Sequence, residues 1–414
     1  MDYLSKIKEE ITPDTSVLTQ INEFISEINS QIKAKKIKAT CIAGGSVAKG
    51  TFLKGDFDVD LFVKFDYSYN DKLISDMLEK ILSKNKPERL HGSRDYFQLK
   101  KENLNYEIVP VLDVKDPEKA LNVTDMSPMH VFWVKKHLKK GQEDDIRLAK
   151  KFCKSIGVYG AESYISGFSG HVIDILIIKY GSFLSLLKES KKWKPKVIID
   201  TEKYYKNSQE LLFSMNTSKI EGPMIVVDPM LRTRNASSSL SYEKFSAFKK
   251  QAALFLKRPS EKFFQEEETG ITYLKKKYKK NLCVVSLKSA TGKTDIIGSR
   301  ILKSFKELKS NLVHAGFEIK DSGWYWNKKQ RVLFWFIMKD MMLPAAKVVN
   351  GPPIEMKNAC LEFRAKYKAT QAKDGKLTAN VKNEKRKLDE IIKDILETDY
   401  FKGKISLNNI DIIS

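Results

Sequence analysis

The chain changes between helical and strand spacing of apolar residues, and those changes divide it. Residues 1–36 carry apolar positions at helical spacing and predict one or two amphipathic helices. From 37 to 113 strand signals dominate. "IKATCIAGGS" reads as a strand entering a glycine turn, "DFDVDLFVKF" as a strand, and "DKLISDMLEKILSK" as a helix. "DYFQLKKENLNYEIVPVLDV" reads as two strands around the polar turn "KKEN".

Residues 144–257 return to helical spacing. "DDIRLAKKFCKSIGVYG" opens on acids and closes at Gly157, which suits both helix ends. "GHVIDILIIKYGSFLSLLKES" is apolar nearly all round and so predicts a buried segment. Ser241 and Glu243 can start "SYEKFSAFKKQAALFLKR", which stops before Pro259. Beyond 260, "NLCVVSLK", "DIIGSRILKSFKELKSNLVHAG" and the pair "FEIKDSGWYW" and "QRVLFWFIM" predict strand, helix and hairpin. That order makes a small α/β sheet, with the helix closed by Gly316. Residues 365–396 are polar, lysine-rich and partly helical.

At 414 residues, two to four domains with sizeable cores are expected. The apolar runs "VIDILII" and "VLFWFIM" are too short to span a bilayer, and "VIDILII" contains a carboxylate. The charged N-terminus has no signal-peptide core, so a cytoplasmic location is the default expectation. Cys41, Cys153, Cys283 and Cys360 are widely spaced and predict buried free thiols rather than a zinc or disulfide framework. A formal charge of +22 does change the picture, because such a field favours a polyanionic partner.

Within that field one strand is acidic. Asp56, Asp58 and Asp60 occupy every second position, so on a strand they share one face, opposite Phe57, Val59 and Leu61. Close carboxylates repel, and a divalent cation is their usual compensator. A solvated edge strand is the plainer reading of the alternation. The preceding "GGS" shifts the balance, since its backbone N–H groups can approach an anion, with Ser46 and Lys49 adding phosphate contacts. Glu107 is the best third acid and Asp113 the fallback, while Asp56 is an alternative to Asp58. "SATGKT" at 289–294 lacks the first glycine of a phosphate loop, Leu287 standing in its place, and reads as a turn and helix start.

Gly-Ser, then Asp-x-Asp, then a later acid on a neighbouring strand resembles the nucleotidyltransferase superfamily typified by DNA polymerase beta. The likeness continues through "SPMHVFWVKKHL", "RLAKKFCKSIGVYGAE", "GFSGHVIDILIIKYGSF", "VVDPMLRTRNAS" and "VVNGPPIEM". Taken in order, these blocks resemble the archaeal (class I) CCA-adding enzymes. The resemblance implies an α+β multidomain fold: a polymerase-beta-like nucleotidyltransferase palm at 1–143, a helical, nucleotide-binding central domain at 144–258, and a C-terminal α/β RNA-binding region at 259–414.

It further implies template-independent addition of the 3′-terminal CCA of tRNA from CTP and ATP, with two Mg²⁺ ions. Asp58 and Asp60 match the paired metal carboxylates and Glu107 the third. The family commonly has Glu then Asp, with Asp third, so the order here departs from it. Ser46 matches the motif serine, and Lys49 stands where arginine is common, exchanging a bidentate contact for a point charge. His130, Lys150 and Tyr159 match positions that hold triphosphate and sugar, and Arg234 the arginine that reads the base. The implied partner is the acceptor and T-arm stem of tRNA, and a homodimer is compatible with the family. A poly(A)-type polymerase and an inactive RNA-binding protein on the same fold are the rival readings, disfavoured respectively by the later motif blocks and by the intact acids. The aromatics Tyr273, Tyr278, Trp324, Tyr325 and Trp326 are read as packing rather than base-stacking surfaces.

Overall fold

The computed structural model describes residues 2–56, 58–266 and 270–413. The chain folds as two compact units, Met1–Glu267 and Glu268–Ser414. Among the described residues no single helix is long and apolar enough to cross a membrane.

The first unit begins with helices α1 (Asp2–Ile11) and α2 (Thr15–Ala34). A five-stranded sheet follows, built from β1 (Ala39–Ala43), β2 (Asp58–Phe65), β3 (Glu88–Leu90), β4 (Tyr96–Lys101) and β5 (Leu104–Leu112). The spatial order is β1-β2-β5-β4-β3, and β2 and β5 run parallel while the other pairs are antiparallel. A one-turn helix, α3 (Gly45–Ala48), links β1 to β2, and α4 (Ile74–Leu82) covers the sheet beside α2. Ile21, Phe24 and Ile28 of α2 and Leu78 and Ile81 of α4 meet Val59, Leu61, Val63 and Ile108 in one core. Strand alternation thus leaves Asp58 and Asp60 on the face away from the helices. Two expectations change here. The strand starts at Asp58, so Asp56 is not part of the acidic row. Phe57, expected to anchor it, lies outside the described residues.

A buried ion pair closes this sheet. The Arg94 guanidinium bonds Asp125 and Asp71 and donates to the Pro110 carbonyl at 3.2 Å. Asp125 also accepts from Leu112 N at 2.8 Å and Asn122 N at 3.1 Å, pinning the end of β5 to the turn before α5 (Ser127–His137).

The helical part comprises α6 (Gln142–Ser155), α7 (Gly170–Tyr180), α8 (Phe183–Ser190), β6 (Val197–Ile199), α9 (Ser208–Ser214), β7 (Met224–Val226) and α10 (Tyr242–Lys257). The apolar stretch expected as one buried segment is two helices bent by 92°. Gly181, at φ +91°, makes the break, and the Ser182 side chain caps the second helix by accepting from Ser185 N. Phe152 lies at the centre of this core, with Phe183, Phe248, Phe255 and Phe264 around it. Because Phe264 packs there, the first unit continues past residue 258.

In the second unit, α11 (Ile271–Lys277) precedes β8 (Leu282–Ser289), α12 (Thr294–Ala315), β9 (Ile319–Trp326) and β10 (Arg331–Met338), the predicted strand, helix and hairpin. Next come β11 (Ala346–Pro353), α13 (Lys357–Lys366), β12 (Thr370–Lys373), β13 (Lys376–Lys382), α14 (Leu388–Leu396) and β14 (Ile405–Ile413). Strand β14 returns to pair antiparallel with β8, giving the order β14-β8-β10-β9. The lysine-rich stretch before it is also integral to the fold, since Leu388 and Ile392 of α14 enter the core of this unit. Tyr273, Tyr278 and Tyr325 pack in one apolar cluster of this unit, and Trp324 and Trp326 against another, so these aromatics are packing residues as expected.

The Arg94–Asp125 pair yields a stability test. Asp125→Ala leaves a buried guanidinium without its main partner and is expected to cost about 3–5 kcal/mol, read from the urea unfolding midpoint of the full chain.

Candidate active site

The parallel register of β2 and β5 sets Asp60 opposite Glu107 and Asp58 opposite Asn105. Asp58 is exposed, Asp60 and Glu107 half-buried. Asn105 Nδ2 donates to Asp58 at 3.1 Å, and Gln98 Nε2 lies 3.5 Å from Glu107 Oε2. Burial raises the Asp60 carboxyl; Lys49 opposes that shift and Asp58 adds to it. An all-oxygen carboxylate set of this kind suits a hard divalent cation. The two alternatives are engaged elsewhere: Asp56 pairs with Lys154 at 2.5 Å, and Asp113 pairs with Lys64 at 2.7 Å beyond the end of β5.

The glycine turn lies against these acids. Gly44 N donates to the Asp60 carbonyl at 2.8 Å. Gly45 adopts φ +49°, and a Cβ there would collide with the Asp60 carboxylate, while one on Gly44 would strike the Phe62 ring. Ser46 is the second residue of α3, directly after Gly45.

Beside the turn sits a pair of buried cations. The Lys49 ammonium bonds the fully buried Asp174 of α7. Lys150 on α6 donates to Thr51 O at 3.1 Å and Thr51 Oγ1 at 3.0 Å, and its nitrogen lies 3.9 Å from Asp174. Burial would raise Asp174, but Lys49 and Lys150 outweigh it and hold the carboxyl below its usual range. Burial also pushes Lys150 down to about 8, against the pull of Asp174. Two ammonium groups share one buried carboxylate, with Asp60 and Asp56 also within their electrostatic reach. Tyr159 belongs to the same corner: a Cβ on Gly170, the first residue of α7, would lie 3.1 Å from its hydroxyl and 3.9 Å from Lys150 Nζ. Burial raises the Tyr159 hydroxyl.

His130 and Arg234 meet on a different carboxylate. Asp228, fully buried, is 2.9 Å from His130 Nε2 and 2.5 Å from Arg234 Nη1, and accepts from Met230 N at 2.8 Å. These donors hold its carboxyl well below the usual range despite burial. The His171 ring lies 4.4 Å from that of His130, and burial pushes it down to about 3. Sequence reasoning missed Asp174, His171 and Asp228. The only signal was an acid inside "VIDILII", an otherwise apolar run.

Comparison with known proteins bears directly on this arrangement. Residues 21–126 match the family described as nucleotidyltransferase domain, 144–265 the tRNA nucleotidyltransferase second domain, and 279–405 the CCA-adding enzyme C-terminal domain. The CCA-adding enzyme of Nanoarchaeum equitans is 39% identical over 279 residues, 67% of this chain and 68% of that one. That of Pyrococcus abyssi is 33% identical, covering 80% of this chain and 73% of its own length. The chain belongs to the CCA-adding enzyme family. The CCA-adding enzyme of Methanocaldococcus jannaschii, at 29% identity, matches 95% of this chain and 90% of its own. Among solved structures, a cytoplasmic RNA terminal U-transferase shares the fold at TM-score 0.52 and 14% identity, over 64% of this chain and 98% of that one. The Cid1 poly(U) polymerase aligns similarly, at TM-score 0.51 and 13% identity. Nucleotidyltransferases of this family generally use divalent metals and nucleoside triphosphates, and the carboxylate set above fits such an ion.

Two measurements test this geometry. Gly45→Ala drives a methyl group into Asp60 at a left-handed position, and nucleotide transfer is expected to fall by about 100-fold or more with secondary structure retained. Lys150 is protonated below about pH 8 and neutral above it. Nucleotide KM is therefore expected to rise as pH passes upward through that value. Lys150→Met should raise KM roughly tenfold to a hundredfold and abolish this pH dependence.

Proposed function

We propose that the chain adds or repairs the 3′-terminal CCA of tRNA from CTP and ATP without a nucleic-acid template, and that Asp58, Asp60 and Glu107 hold two Mg²⁺ ions. The register opposition of Asp60 and Glu107, with Asp58 two residues along the same face, is the observation that carries the site. Bound there, the ions would supply Lewis acidity to the attacking hydroxyl and the leaving pyrophosphate. Glu107 in the third place has a longer side chain than the aspartate common in the family, and its half-buried carboxylate lies one strand from Asp60.

In this reading the residues divide by task. The Gly45–Ser46 turn and the Ser46 hydroxyl orient the triphosphate. Lys49 and Lys150, neutralised only in part by Asp174, attract it, with Tyr159 closing that corner and bearing on the sugar. His130 adds a phosphate contact. Arg234, poised on Asp228, reads the base: its planar fork can donate to acceptors on both cytosine and adenine. Residues 1–143 carry the chemistry and share the nucleotide contacts with 144–258, and 259–414 grip the acceptor and T-arm stem. Such a grip suits an enzyme that must accept every tRNA, because double-stranded RNA is recognised by shape and phosphate position more than by sequence.

The deciding experiment is incubation with tRNA lacking CCA, with CTP, ATP and Mg²⁺, and sequencing of the product. Ordered C, C, A addition is expected, whereas a poly(A)-type enzyme would extend with ATP alone. Asp58→Ala or Asp60→Ala should abolish transfer while leaving tRNA affinity largely intact, since binding rests on distributed charge. A minihelix of the acceptor and T-arm stem should be nearly as good a substrate as whole tRNA, and affinity should fall steeply between about 50 and 200 mM salt.

A further inference from the structure

Buried polar groups in folded proteins nearly always have partners, and an orphan calls for an explanation. Both ring nitrogens of His171 are buried without a hydrogen-bond partner among the described residues. Leaving such a group unsatisfied costs about 1–3 kcal/mol. Its neighbours suggest what the vacant lone pair meets. His130, His171 and Asp228 can each direct one donor atom so that all of these lie within 4.8 Å of one another. Two imidazoles and one carboxylate form a donor set that favours a borderline transition cation over Mg²⁺, which prefers oxygen and retains water.

We propose that His130, His171 and Asp228 form a binding site for a divalent transition cation of the Zn²⁺ class, separate from the carboxylate site on β2 and β5. The cation takes the place of the proton now shared between His130 Nε2 and Asp228, 2.9 Å apart. His171 supplies the third donor from the first turn of α7. Asp228 is already oriented for this role: Arg234 on Oδ2 and the Met230 amide on Oδ1 hold it, as outer partners do for metal-bound carboxylates. Arg234 also places a positive charge beside the site, which tunes it towards reversible rather than structural binding. No cysteine competes locally, because Cys41, Cys153, Cys283 and Cys360 are all buried elsewhere.

This site has a consequence for the proposed reaction. A cation there ties up His130 and the carboxylate that poises Arg234, so it excludes the incoming nucleotide. Zinc is then an antagonist of nucleotide binding at a place distinct from the acids, and this second consequence rests on the nucleotide-binding reading of His130 and Arg234.

The test uses the full chain carrying Asp58→Ala and Asp60→Ala, which removes the oxygen site from the count. Equilibrium dialysis against Zn²⁺ should leave one ion per chain, with imidazole ligands visible by X-ray absorption. Adding His171→Phe should weaken that binding by about tenfold or more. His171→Asn serves as a second variant, and thermal unfolding checks that each remains folded. Absence of a retained ion, or retention that ignores both substitutions, overturns the site and leaves buried water as the occupant of His171. In the enzyme with intact acids, Zn²⁺ at saturating Mg²⁺ should inhibit competitively with CTP, and His171→Phe should relieve the inhibition. Zinc bound through His171 without competition against CTP would retain the metal site and remove His130 and Arg234 from the nucleotide pocket.

Discussion

The site depends on one buried carboxylate. Asp174 is fully shielded from water, and a lone carboxylate there would be penalised by several kcal/mol. Lys49, which follows α3, and Lys150, on α6, supply the compensation. Three separate elements are thereby drawn to one point, one of them carrying the glycine turn that touches Asp60. The palm and the helical part are joined by a charge that neither could keep alone. With two ammonium groups against it, the buried acid stays ionised despite its burial.

The acidic strand was legible because a period of two is a strong instruction. Asp58 and Asp60 alternate with Val59 and Leu61, and burial of the apolar pair dictates where the acids face. Glu107 was legible for the same reason, flanked by Tyr106 and Ile108, which enter the core. Asp56 fits the same alternation yet lies before the strand, and Lys154, 98 residues away, engages it. Sequence spacing says which residues share a face but not where the ladder begins or which distant cation arrives.

Buried polar partners were the least legible feature. Lys49 and Asp174 are 125 residues apart, and His130 and Asp228 are 98 apart. Each looks unremarkable in its own segment, and only the tertiary fold makes it part of a site. The break between α7 and α8 was hidden differently. A stretch that is apolar on nearly every side gives no amphipathic stripe from which to read direction, and the punctuation at its break is brief, Gly181 followed by the capping Ser182. In the second unit, β14 was concealed differently: its apolar residues do not keep a strict alternation, because a bulge between Leu407 and Asn409 interrupts its pairing with β8.

The α7–α8 bend also bears on how the chain is made. Its apolar stretch leaves the ribosome well before α10, the helix that packs against α8 and completes the phenylalanine core. Until that later helix is translated, α5 and α6 cover only part of this oily segment in the nascent polypeptide. Transiently exposed apolar surface of this kind makes a partly made chain prone to aggregate. Slower translation between Phe183 and Tyr242 would lengthen that exposure while leaving the final stability of either helix unchanged.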